Sequence, residues 1–165
     1  MKTHTLLLIF ALTAILSCTT EETTTYYLIR HAEKVRTDAT NRNPNLNETG
    51  KERATNWGIY FKNVDLDAVY TTDYNRTQQT ASPTAKNKNL PIQKYDPRKM
   101  YTEDFAAATK GKTVLIVGHS NTTPVFANKI IGEQKYKNMD DRDNASLYIV
   151  TIVGTKKTSR IEILE

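Results

Sequence analysis

In Thr113-Val114-Leu115-Ile116-Val117 an unbroken apolar run from Val114 to Val117 leads up to Gly118. A strand with one wet face alternates apolar and polar residues, so a continuous run marks a strand covered on both faces. That demands helices on two sides, and the rest of the chain supplies them. Tyr26–Arg30 reads as a strand ending in charge. Asn47 reads as the N-cap of a helix over Glu48–Lys62, with Ala54, Trp57, Ile59 and Phe61 as its apolar surface and Gly50 and Gly58 as weak points. Ala68–Thr72 is a second strand, and Asn75–Lys88 a second helix that Pro83 is expected to kink or split. Pro91–Tyr95 reads as a third strand, which its proline places at an edge. Thr123 as N-cap and Pro124 at the first helical position open another helix, which Gly132 closes. Ser146–Val153 and Ser159–Leu164 form a hairpin around Gly154-Thr155. Strands alternating with helices predict an α/β fold: a three-layer α/β/α sandwich on a mostly parallel sheet of about six strands.

At the other end, Lys2 precedes Leu6–Leu16, eleven residues of which only Thr13 is polar, and then Ser17-Cys18. This is the form of a secretory signal peptide over residues 1–17, too short for the roughly 20 apolar residues that span a bilayer. Ile15-Leu16-Ser17-Cys18 resembles the bacterial lipobox, in which Cys18 is lipidated and becomes the new N-terminus. Residues 18–25 then read as the lipidated cysteine and a polar tether of Thr and Glu, and residues 26–165 as a single domain. The expected location is the bacterial cell envelope, with the membrane reached through the lipid anchor only.

The chain has 165 residues, 23 Lys+Arg against 18 Asp+Glu, one cysteine and three histidines. One cysteine rules out a disulfide framework, and with so few histidines a structural zinc cluster is not expected; the metal expectation is none. The formal charge of +5 is mild and permits anionic ligands without calling for nucleic acid.

Loss of residues 1–17 leaves two histidines, His31 and His119. His31 directly follows a predicted strand and His119 follows another one Gly later, where open α/β sheets place their ligand crevice. Arg30 adjoins the first, and Arg76 lies just beyond the second strand.

Four stretches, in order, resemble the histidine phosphatase superfamily, whose fold is phosphoglycerate mutase-like. Arg30-His31-Ala32-Glu33-Lys34 resembles its Arg-His-Gly or Arg-His-Ala signature. Leu46-Asn47-Glu48-Thr49-Gly50 is similar to its Leu-Thr-x-x-Gly helix start, and Thr71-Thr72-Asp73-Tyr74-Asn75-Arg76-Thr77-Gln78-Gln79-Thr80-Ala81 to its Ser-Ser-x-x-x-Arg-x-x-Gln-Thr-Ala block. Val117-Gly118-His119-Ser120 stands where the family has its second histidine, with Gly118 in place of the commoner Ser.

The resemblance implies a phosphomonoesterase acting on a small phosphorylated substrate with no cofactor. A phosphomonoester is a dianion, and Arg30 and Arg76 suit it because a guanidinium clamps two oxygens at once. His31 would attack phosphorus and form a phosphohistidine; His119, with Ser120 and the following helix N-terminus, would hold the phosphoryl oxygens. A proton donor for the leaving group is expected at Asp96, at the end of the third strand, with Glu103, Asp104 and Glu33 as alternatives.

Two rival motifs fail. Gly118-His119-Ser120-Asn121-Thr122 imitates a nucleophile elbow, but its last position is not Gly and no histidine follows. Gly111-Lys112-Thr113 imitates the end of a P-loop, but the strand follows it instead of preceding it. The alternative that stays open is a non-catalytic envelope lipoprotein that binds phosphorylated or anionic ligands in the same pocket.

Overall fold

The computed structural model describes residues 21–164. The segment read as a signal peptide (1–17), the expected lipidation site Cys18 and the first two residues of the expected tether lie outside the described residues.

Six strands form one mixed sheet in the order β3-β2-β4-β1-β5-β6. Strands β1 (Thr23–Arg30), β2 (Ala68–Thr71), β3 (Ile92–Lys94) and β4 (Thr113–Gly118) are parallel. Strands β5 (Ser146–Val153) and β6 (Lys156–Ile163) are antiparallel to their neighbours and close the sheet as a hairpin. The expected mostly parallel sheet is therefore four strands parallel and two antiparallel. Gly154 takes a φ of +57° in the two-residue turn, a conformation that glycine adopts without steric cost. β1 begins at Thr23, inside the segment read as tether: Thr24 is buried and its hydroxyl accepts a bond from the Gly111 amide at 2.8 Å. Polar composition concealed this, because threonine is as good a strand former as it is a linker residue.

Helices α1 (Glu48–Tyr60) and α2 (Asn75–Lys88) cover one face; α3 (Glu103–Thr109) and α4 (Thr122–Ile131) lie over the other. On the first face Trp57, Phe61, Ala81 and Ala85 pack against Ile29, Val69, Leu115 and Val117. On the second, Phe126 and Ile130 pack against Tyr26, Leu28, Val114 and Ile116. Alternate residues of β4 thus enter opposite cores, the physical meaning of its unbroken apolar run.

Asn47 caps α1 as expected, accepting from the Gly50 amide at 2.8 Å. The buried stripe of α1 is Gly50, Ala54, Trp57 and Gly58, and Ile59 faces solvent, 64 % exposed. Helix α2 runs continuously through Pro83, which does not split it, and Pro83 lies on Gly58 of α1, where a Cβ would meet it at 3.0 Å. Helix α4 begins two residues earlier than the Thr-Pro pair suggests, with Asn121 as its cap, because the His119 carbonyl accepts from the Thr122 and Thr123 amides. Among the described residues no helix is long and apolar enough to cross a membrane.

Candidate active site

Register brings the two histidines together. β1 and β4 pair so that Arg30 stands opposite Gly118, and the His31 amide donates to the Gly118 carbonyl at 3.0 Å. The residues that follow, His31 and His119, then face each other with ring centroids 5.4 Å apart. β2 lies on the other side of β4, Thr71 opposite Val117, which sets Thr72 beside His119. The cleft beyond these strand ends has a volume of ≈ 370 Å³ and is lined by Arg30, His31, Arg76, His119, Ser120 and, among others, Lys34, Tyr74 and Asp141.

The ring of His31 has a determined tautomer. Its Nδ1 lies 2.8 Å from the Ala32 carbonyl, which can only accept, so Nδ1 carries the proton and Nε2 keeps its lone pair. Burial pushes the His31 pKa down to about 3, helped by the charges of His119, Arg30 and Arg76, so the ring is neutral at pH 7. His119 is pushed to about 4, by burial first and then by Arg76 and Arg30. Its Nε2 lies 2.9 Å from the Thr72 hydroxyl. That hydroxyl donates to Thr77 Oγ1, whose own proton goes to the Thr72 or Tyr74 carbonyl. Thr72 is thereby left as acceptor for His119 Nε2–H, and Nδ1 is the bare nitrogen of the second ring.

Arg30 is only 2 % exposed and is held from three sides. Its Nη1 donates to the Asp140 and Asp143 carbonyls, both at 3.1 Å, and its Nη2 to Asp141 Oδ1 at 2.7 Å. Arg76, in the first turn of α2, lies over the Tyr74 ring at 4.3 Å. The Nε–H groups of both arginines are buried without a protein partner. Two orphaned guanidinium donors at one cleft fit an oxyanion ligand. Among the described residues no group of three His, Cys, Asp or Glu is assembled to hold a metal ion.

Arg30, His31, Arg76, His119 and Ser120, all predicted from sequence, meet here. Asp96 does not: its carboxylate is bound by Arg98 through both oxygens at 3.0 Å, and it lines a neighbouring cavity with Lys94 and Tyr95. The Arg98 bonds hold its pKa below the usual carboxylate value, the opposite of what an acid requires. Glu103 and Asp104 open α3, away from the residues lining the cleft, and Glu33 is paired with Arg53 at 2.8 Å. Sequence reasoning missed Asp141 and Tyr74. The acidic run Asp140-Asp141-Arg142-Asp143 before the last hairpin was the only signal of the first.

Gly118 has a local cause. A Cβ there would lie 2.9 Å from the Tyr95 hydroxyl and 3.0 Å from the hydroxyls of Thr122 and Thr123. The space a serine side chain would take is filled by these three oxygens.

With the site described, its likeness to known proteins can be stated. Residues 26–97 match the pattern of the Histidine phosphatase superfamily (branch 1). Solved structures show the same fold, and each is covered almost completely. The phosphoglycerate mutase of Bacillus anthracis str. Sterne superposes with a TM-score of 0.64 at 17% identity, over 88% of this chain and 94% of that one. The protein histidine phosphatase SixA, complexed with tungstate, gives 0.67 at 15% identity, over 84% and 96%. A mycobacterial glucosyl-3-phosphoglycerate phosphatase gives 0.61 at 10% identity, over 86% and 98%. The fold is thus the phosphoglycerate mutase-like α/β fold, here a six-stranded mixed sheet with four helices. No curated protein sequence matches the chain significantly.

Proposed function

We propose that this chain is a metal-independent phosphomonoesterase that passes the phosphoryl group through His31. The observation that carries the reading is the His31 tautomer: a neutral ring whose Nε2 lone pair is free, beside Arg30, Arg76 and His119. Nε2 attacks phosphorus in line, a P–N bond forms as the ester P–O bond breaks, and the leaving oxygen departs with the bonding pair. Arg30, Arg76 and His119, with Ser120 at the start of α4, hold the phosphoryl oxygens as their charge redistributes. Water then attacks the phosphohistidine, the P–N bond breaks, and inorganic phosphate leaves with His31 restored.

Three carboxylates near the site are engaged by arginines: Asp141 by Arg30 and Arg36, Glu33 by Arg53, Asp96 by Arg98. None is poised to protonate a leaving alkoxide, which favours substrates whose leaving group departs unaided, such as aryl phosphates. The same proposal has the chain in the bacterial cell envelope, held by a lipid on Cys18.

The test is phosphate release from p-nitrophenyl phosphate by the purified chain in EDTA. Turnover should persist there, fall by about a thousandfold or more in His31→Ala, and slow steeply as the phenol becomes a poorer leaving group. A folded wild-type chain that binds phosphate without turnover would instead identify a binding protein using the same pocket.

A further inference from the structure

We propose that Lys34 and Arg36 form a second anion subsite at the edge of the cleft, so that the preferred substrate is a phosphomonoester bearing a second anionic group. In the free molecule the Asp141 carboxylate fills this subsite. The inference rests on the phosphomonoesterase reading and narrows its substrate class.

Charge balance is the first argument. Arg30, Lys34, Arg36 and Arg76 converge on a region where Glu33 is already paired with Arg53 and Arg142 with Asp140, so the one carboxylate facing these four cations is Asp141, and both histidines are neutral in the free molecule. A phosphoryl dianion together with Asp141 leaves at least one of the four cations uncompensated. Lys34 and Arg76 form no ion pair among the described residues, and with Arg76 engaged by the phosphoryl group that cation is Lys34. Partial burial and then the charges of Arg76 and Arg36 hold its pKa below the usual lysine value. An uncompensated, partly desolvated ammonium is stabilised most by an anion brought to it.

Geometry is the second. Asp141 bridges two guanidiniums, Oδ1 to Arg30 at 2.7 Å and Oδ2 to Arg36 at 2.9 Å, and its side chain is still 67 % exposed. A carboxylate held this way on the surface is an internal stand-in for a ligand anion, and its exposure lets it swing out. A second cavity of ≈ 500 Å³ adjoins the cleft and shares His31, Lys34 and Asp141 with it, adding Arg36 and Asn47. A substrate with its phosphoryl group over His31 therefore has room to extend past Lys34 toward Arg36. The backbone of Lys34 is fixed by an isolated bridge to Leu46, so its ammonium is presented from a rigid base.

The test compares methylphosphonate with methylene bisphosphonate, neither of which can be hydrolysed, by calorimetric titration of the full-length chain. Wild type should bind the bisphosphonate about tenfold or more tightly, and the Lys34→Gln/Arg36→Gln double variant should bring the two within about twofold. Asp141→Asn should widen the wild-type gap, since the second anion then displaces no competitor. Arg142→Gln, which removes a cation of the same cavity paired to Asp140, should leave the gap in place. Equal binding by wild type, a gap that survives the double variant, no widening in Asp141→Asn, or a gap lost equally in Arg142→Gln would overturn the subsite. A retained gap in a chain that hydrolyses no phosphomonoester would overturn the enzymatic reading and leave the subsite standing. Failure to bind either phosphonate would overturn both.

Discussion

Each histidine of the cleft has one ring nitrogen committed to the protein, and the chemistry falls to the other. In His31 the committed atom is Nδ1, bonded to the Ala32 carbonyl; in His119 it is Nε2, bonded to Thr72. Nitrogen-detected NMR should show these opposite tautomers, with both rings titrating well below 6.5, near about 3 and about 4. Two rings titrating between 6 and 7 would remove the neutral nucleophile. Because the bare His119 Nδ1 has no proton to give a phosphoryl oxygen, binding of phosphate at pH 7 should take up a proton there. Calorimetry in buffers of different ionisation enthalpy reads the net proton change, which includes the ionisation of phosphate itself, and wild type should take up more proton than His119→Ala. Arg30, His31, Arg76 and His119 were legible in the sequence, since each sits at or just past a strand end in a patterned block. Asp141 was not, because it reaches the cleft from a loop 110 residues after His31 and carries no spacing that marks it.

Two connecting elements hold the site from behind. The start of α1 presses on the turn after His31: the Asn47 amide donates to the Glu33 carbonyl at 3.0 Å, and a Cβ on Gly50 would collide with that same carbonyl. Gly50→Ala should therefore destabilise the fold by about 2 kcal/mol, read as a lower denaturant midpoint, although alanine is the better helix former. An unchanged or raised midpoint would show that propensity outweighs the close approach. From the other side, the segment after α4 is tied down by buried Asn128, which donates to the Tyr136 carbonyl at 2.7 Å and accepts from the Lys135 and Tyr136 amides. This leads to the turn whose carbonyls hold Arg30, and to Asn144, which donates to the His31 carbonyl at 2.7 Å. Asn144→Ala should lower kcat more than it raises KM, because it loosens the backbone that aims His31 while the phosphate donors stay in place.

For the molecule as a whole, two buried neutral imidazoles make stability depend on acid. Unfolded histidines take up protons near pH 6.5, whereas His31 and His119 refuse them down to about 3 and about 4. Their contribution is thus complete above pH 6.5 and declines as pH falls through that window. Chemical denaturation from pH 7 to pH 4 should show a falling midpoint, flattened in a His31→Asn/His119→Asn variant. The early start of β1 adds a geometric consequence to the proposed lipid anchor. Only Thr19–Glu22 separate Cys18 from Thr23, and four extended residues reach at most roughly 14 Å. An anchored domain would therefore rest with the N-terminal end of β1 at the membrane and the cleft, at the opposite end of that strand, turned away. Cys18→Ala should move the protein from the membrane fraction to the soluble one with its phosphatase activity unchanged.

The layered α/β fold and the four principal site residues could be read from the chain because they are local facts: an apolar run covered on both faces, caps beside helices, charged residues at strand ends. Tertiary structure alone decided what surrounds those residues. The Ala32 carbonyl settles which nitrogen of His31 is left free, and Thr72 does the same for His119. Arg98 takes Asp96 out of reach as an acid, while Asp141 arrives from the far end of the chain to share Arg30 and Arg36. Such partners are selected by distance across the sheet, and separation along the chain holds no record of it.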